Sequence, residues 1–151
     1  MDPLSIICTA FSLASGISKA LMAITEFTRN AQNTTKAIDS ISKELQALTG
    51  ILDPLAHSLS QVQNGRTLPD CLIRKMGDAL SGCDLVVKQI TENLHKYQRD
   101  KVWTKAKWAL FGQGDVLKLR ESLEAYNMAL SLGLHAISMY SPLPLSGFGY
   151  C

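Results

Sequence analysis

A chain of 151 residues, 46% hydrophobic and 19% charged, has the composition of one globular domain, long enough to bury roughly 70% of the surface its unfolded form exposes. Its net charge of +2 is too small to mark a nucleic-acid binder, so any basic partner site has to be local. Cys8, Cys71, Cys83 and Cys151 lie far apart and form no CxxC, which argues against a zinc or thioredoxin-like site and fits reduced, intracellular thiols.

The first element is written in MDPLSIICTAFSLASGISKALMAITEF, where no charge falls between Asp2 and Lys19. A secretory signal needs an early positive charge and an unbroken apolar run, and this stretch has neither. Ser5, Thr9, Ser12, Ser15 and Ser18 recur at three- and four-residue intervals and line one side of a helix. Opposite them stand Ile6, Ile7, Ala10, Leu13, Ala14, Ile17, Leu21 and Ile24, the apolar side that a bundle core requires. Asp2 is expected to cap this helix and Pro3 to occupy its first position, where no donor is missed. The hydroxyl side, which also carries Leu4, Cys8 and Phe11, is expected at the rim or in solvent.

A second helix follows from the alternation Ile38, Ile41, Leu45, Leu48, Leu52, Leu55, Leu59, Val62, a narrow three-four seam. Gly50 and Asp53-Pro54 predict a kink or a restart within it. After the turn QNGRTLPD, Ile73, Met76, Leu80, Cys83, Val87, Ile90, Leu94 and Tyr97 define a third helix. The segment HKYQRDKVWTKAKWALFGQGD breaks the pattern. Val102, Trp103, Ala106, Ala109 and Leu110 suit a short extra helix, ended by Gly112 and Gly114, with Asp115 expected to cap the next. Val116, Leu119, Leu123, Tyr126, Leu130, Gly133, Ile137 and Tyr140 define the last long helix. The expected fold is all-α, a left-handed antiparallel four-helix bundle with a short extra helix between helices 3 and 4. The bundle is placed at residues 1–140, and 141–151 form a tail containing Pro and Gly.

Catalytic chemistry finds little support. Ser40-Ile41-Ser42-Lys43 matches SxxK only in form, since Ile41 lies on a helix seam and the companion motifs of that enzyme class are missing. His57, His95 and His135 fall on three helices with no HExxH or paired carboxylates beside them, so no metal or cofactor is expected. Glu121 and Glu124 read as a solvated flank beside Lys118 and Arg120. The sequon at Asn33 should stay unmodified in the absence of a secretory signal.

Two stretches carry surface chemistry instead. The first helix supplies Leu4, Ile6, Ile7, Phe11, Leu13 and Ile17 as a candidate membrane or effector helix. Its sixteen uncharged residues would span about 24 Å against a hydrocarbon core of about 30 Å. The second candidate is the basic and aromatic patch of Lys96, Arg99, Lys101, Trp103, Lys105, Lys107 and Trp108, which an anionic membrane surface would attract. Each has a plain structural alternative. The helix is then a core helix that never leaves the bundle, and the tryptophans pin the connecting segment while the lysines face water.

MDPLSII, the Ser/Ala-rich first helix, LPDCL, and KAKWALFGQGDVLKLRESLEAYNMAL together resemble the fungal N-terminal domain of STAND, or NLR-like, receptors, a HeLo-like helical domain. The likeness spans about residues 1–139, and Trp108 to Leu123 is its most specific part. The resemblance implies a non-enzymatic effector module that stands ahead of a nucleotide-binding and repeat region. It also implies kinship with fungal membrane-permeabilising cell-death domains and with the bundle of a necroptotic pseudokinase. Self-association on activation, cytoplasmic location with peripheral membrane association, and no nucleic-acid partner are the expectations that follow. The chain reaches Cys151 without a nucleotide-binding region, which reads as an excised domain or a stand-alone protein. Similar domains also occur in proteins of fungal pigment clusters, which implies the alternative of a protein-interaction or small-ligand scaffold in secondary metabolism.

Overall fold

The seams read from the sequence become four helices in a computed structural model that describes residues 3–31, 36–62, 68–99 and 113–140. They are α1 (Pro3–Ala31), α2 (Lys36–Val62), α3 (Asp70–Arg99) and α4 (Gln113–Tyr140). Each is 27 to 30 residues long, or roughly 40–45 Å at ~1.5 Å per residue.

The inner stripe of α1, Ile6, Ala10, Leu13, Ile17, Ala20, Ile24 and Phe27, is buried without exception and keeps a strict four-three alternation over the whole helix. Ile38, Ile41, Leu45, Leu48, Leu52, Leu55 and Leu59 of α2 are buried in the same cluster, as are Ile73, Met76, Leu80, Cys83, Val87, Ile90 and Leu94 of α3. Each fully buried Leu or Ile contributes about 1.5–3 kcal/mol relative to exposure. The α4 seam is looser: Val116, Leu123, Leu130 and Ile137 are buried, whereas Leu119 and Tyr126 are partly covered.

Of the kink or restart expected in α2, the restart with Asp53 as cap does not occur, and the helix runs continuously through Pro54. Pro54 and Gly50 both lie on the exposed side, so the carbonyl that loses its proline donor meets water, while Leu52 and Leu55 hold the backbone from the core side. A second correction concerns α4, which begins at Gln113. Asp115 therefore lies inside the first turn, where its charge opposes the helix dipole, rather than at the cap. The start of α3 is set by Pro69, whose carbonyl accepts from the amides of Leu72 and Ile73 at 3.1 and 3.2 Å. Leu68 and Ile73, before and after that cap, are both buried, the arrangement of a hydrophobic staple. The capping role of Asp2, the short extra helix expected over 102–110 and the tail 141–151 lie outside the described residues.

The order of the helices around the core follows from which pairs touch. α1 packs on α2 and α3, and α4 packs on α2 and α3; among the described residues α1 does not meet α4, nor α2 meet α3. Four residues join α1 to α2 and seven join α2 to α3, too few to retrace a helix length, so each helix returns along the one before it. A Cβ on Gly82 would meet the ring of Tyr126, and one on Gly133 would meet Met76 at 3.1 Å, which fixes α3 and α4 as an antiparallel pair. The bundle is the all-α, four-helix arrangement expected, with antiparallel α1–α2 and α3–α4 contacts. One pole holds the start of α1, the end of α2, the start of α3 and the end of α4.

Candidate functional site

The outer face of α1 is built by the same spacing that builds its core. Leu4, Cys8, Phe11, Ser15, Ser18 and Met22 repeat the four-three alternation on the side opposite the buried stripe, and all six are exposed. Leu4 is 56% exposed, Phe11 64% and Met22 72%. Ser15 and Ser18 are the polar groups that the solvent side of a core helix ordinarily carries; Leu4, Phe11 and Met22 are the departures from that pattern. By length and composition alone, the stretch Leu4–Arg29 is apolar enough to cross a membrane, with a mean hydropathy of 1.6 and 39% of its most apolar window buried within the bundle, a test that the core helix of a soluble bundle also passes.

Three hydroxyls on this helix are turned inward on their own backbone. Thr9 Oγ1 donates to the carbonyl of Ser5 at 2.8 Å, and Ser18 Oγ to that of Ala14 at 3.2 Å. Thr25 repeats the bond to Leu21 at 3.0 Å. A hydroxyl already bonded to a carbonyl four residues back loses less on leaving water than a free one.

α4 carries a second such face that sequence reading did not single out. Leu117, Met128, Leu132 and Met139 are exposed, and no Asp, Glu, Lys or Arg occurs from Ala125 to the end of the helix. The available signal was that charge-free run, hidden because the seam residues of α4 were read first. At the shared pole, α1 up to Ser18, α2 from Thr49 and α4 from Ala125 hold one such charge between them, Asp53. The opposite halves of these helices hold the rest: Lys19, Glu26 and Arg29 on α1, Lys36, Asp39, Lys43 and Glu44 on α2, and Asp115, Lys118, Arg120, Glu121 and Glu124 on α4. The bundle is thus polarised along its axis, with α3 charged throughout.

The structure separates the candidate residues. Leu4 and Phe11 are accessible, whereas Ile6, Ile7, Leu13 and Ile17 are core residues with at most 9% exposure and reach a partner only if α1 leaves the bundle. Lys96 is exposed near the end of α3, at the pole opposite the start of α1. The side chain of Arg99 and all of Lys101, Trp103, Lys105, Lys107 and Trp108 lie outside the described residues, as does most of the basic and aromatic patch; since Gly16 of α1 lies level with Asp84 and Val87 of α3, the flank at Lys96 is roughly 25 Å along the bundle axis from Phe11.

Polar groups do not converge elsewhere. Lys43 of the formal SxxK motif pairs with Asp39 at 3.1 Å on an exposed face. His57 lies 3.1 Å from Gln61, and His57, His95 and His135 are exposed on α2, α3 and α4. Among the described residues no group of three or more His, Cys, Asp or Glu side chains could hold a metal ion. An open groove of about 330 Å3 runs between α3 and α4, lined by Gln89, Glu92, Asn93, Asp115, Lys118 and Leu119. Burial and, secondarily, the Asp84 carboxylate push the Cys83 thiol up to about 12, which keeps it protonated and unreactive near neutral pH.

The profile of the family described as "Pigment biosynthesis cluster protein PigL N-terminal" covers residues 1–143. No curated protein and no solved structure matches the chain.

Proposed function

From the premise that the chain belongs to the family of PigL N-terminal domains, we propose that it is a non-enzymatic effector module that acts at a membrane through the outer face of α1. One observation carries the reading: besides the stripe filled by the core, α1 leaves Leu4, Phe11 and Met22 exposed among the hydroxyls of its opposite side. The resemblance to HeLo-like N-terminal domains of STAND receptors supports it, and with it self-association on activation, a cytoplasmic location and a nucleotide-binding partner domain. Release of α1 would expose the stripe from Ile6 to Phe27. At ~25 cal/mol per Å2 that costs several kcal/mol, so release requires a trigger and a compensating apolar environment.

The test is vesicle leakage beside thermal stability. Ser12, exposed on α1, accepts Ser12→Glu without loss of fold, yet a charge carried to mid-bilayer is penalised by up to ~3 kcal/mol. Leu13→Glu, at a fully buried site, should damage fold and leakage together. A Ser12→Glu protein that stays folded and permeabilises vesicles fully would sink the proposal.

The pigment biosynthesis cluster in the family description motivates a second reading, a protein-interaction or small-ligand scaffold associated with such a cluster. That reading expects specific capture of a protein encoded in such a cluster, with no leakage from any vesicle.

A further inference from the structure

The geometry points to a second copy of this chain as the partner of α4: two bundles pair antiparallel through the outer stripe of that helix, about a two-fold axis at Met128. At ~100° per residue, Leu117, Glu121, Glu124, Met128, Leu132, His135 and Met139 fall within about 40° of one line along α4. All are exposed, on the side opposite the buried Leu123, Leu130 and Ile137. Every exposed large hydrophobic side chain of α4 lies on this line.

The order of side chains along the stripe selects the partner. A two-fold axis makes a surface meet itself, so each residue before the axis must suit the residue equally far beyond it. Leu117 and Met139 are equidistant from Met128, as are Glu121 and His135, and Glu124 and Leu132. Leu117 therefore meets the partner's Met139, apolar against apolar, at both ends of the contact. Glu121 meets the partner's His135, whose ring N–H can donate to the carboxylate. Glu124 meets the partner's Leu132, but its carboxylate is already turned to Arg120 Nη2 on its own helix at 3.5 Å, so its methylene stem lies beside the leucine. Parallel pairing would instead set Glu121 against Glu121 and Glu124 against Glu124 along one seam. Antiparallel pairing places those acids against the half of the partner helix from Ala125 on, which has no Asp, Glu, Lys or Arg. Lipid is a poorer occupant, because Glu121 and Glu124 interrupt the stripe between Leu117 and Met128. α1 occupies the corner opposite α4, so the pairing leaves the outer face of α1 free on both subunits. The contact runs about 33 Å at ~1.5 Å per residue, yet it is a single helix pair at the small end of stable interfaces and should dissociate on dilution.

Sedimentation equilibrium of the full chain in lipid-free buffer tests this. The mass should rise from one chain toward two as concentration increases. Met128→Glu and Met128→Lys each set like charges face to face on the axis and should weaken association about tenfold or more. Mixed in equal amounts, the two variants should pair again, because a residue on the axis meets its own counterpart. His135→Glu should weaken pairing through the partner's Glu121, and Glu121→Lys in the same chain should restore it. Leu85→Glu, at an exposed leucine of α3, should leave pairing unchanged; thermal melts establish that every variant folds. A single-chain mass at every concentration overturns the inference, and so does a mass that climbs past two chains, since a closed two-fold pair offers no further site. A dimer indifferent to both Met128 variants, or variants that fail to recombine on mixing, removes the axis from Met128 and likewise overturns it. No lipid enters these measurements, so the membrane reading stands or falls separately on the leakage test.

Discussion

Asn127 on α4 reaches across to Glu44 on α2: its side-chain amide donates to the Glu44 carbonyl oxygen at 3.1 Å and to the carboxylate Oε2 at 2.8 Å. Asn127 is a buried polar residue in an apolar seam, 7% exposed, and its Oδ1 is buried without a partner. The pair fixes where α4 sits along α2, because sliding either helix by a turn leaves the amide unsatisfied. Asn127→Asp sets a carboxylate against Glu44 and should cost about 3–5 kcal/mol at neutral pH, with part recovered as falling pH protonates one carboxyl of the pair. Asn127→Leu removes the orphaned oxygen and should lie within about 1 kcal/mol of the native chain. Urea denaturation of the two variants at two pH values checks both signs.

Gly82 and Tyr126 give a second prediction. Alanine in mid-helix ordinarily gains about 1 kcal/mol over glycine. Here the added Cβ would land on the Tyr126 hydroxyl and ring, so Gly82→Ala should destabilise the bundle by about 1–3 kcal/mol. In a Tyr126→Ala background the same change should become stabilising. A double-mutant cycle by chemical denaturation measures the reversal.

Core and surface should separate cleanly. Leu48 and Ile90 are at most 1% exposed, and Leu48→Ala or Ile90→Ala should each cost about 2–5 kcal/mol. Lys43, in an exposed ion pair with Asp39, should lose under about 0.5 kcal/mol on truncation to alanine. Equal losses at the three sites would contradict the bundle.

Cys83 predicts an alkaline effect. Its thiol is raised from 9.0 to about 12 by burial and by Asp84. The unfolded thiol therefore ionises at a pH where the folded one is still protonated. The stability Cys83 contributes is intact below about pH 8, and is lost as pH rises from about 9 toward 12. Between pH 8 and 10, the native chain should lose more stability than Cys83→Ala does, as followed by denaturant midpoints. At pH 8 the Cys83 thiol should resist alkylation until the chain is unfolded.

Much of the fold was legible in the sequence, because burial leaves a period. The α2 and α3 seams from Ile38 to Leu59 and from Ile73 to Leu94 are buried residue for residue, and the hydroxyl side of α1 with Leu4, Cys8 and Phe11 lies outside the core as expected. The restart expected at Pro54 is absent, since proline disfavours a helix by local chemistry, yet on an exposed face the flanking leucines outweigh the one lost bond. Asn127 was passed over because it adjoins Tyr126 on the same side of α4, and a lone polar residue in a seam has no period.

What the sequence determined by itself is the angle of each side chain about its own helix axis: which stripe is buried, where charges stop, and where a helix can begin. Only the tertiary structure decided which helices are neighbours, so that α1 packs on α3 while α4 takes the opposite corner. Hydrophobic burial is non-directional, and any of several neighbour orders would cover the same four stripes. The chosen order is settled by close fits such as Tyr126 over Gly82, Met76 over Gly133 and Asn127 on Glu44. It is that order which gathers the charge-poor halves of α1, α2 and α4 at one pole beside the charged start of α3.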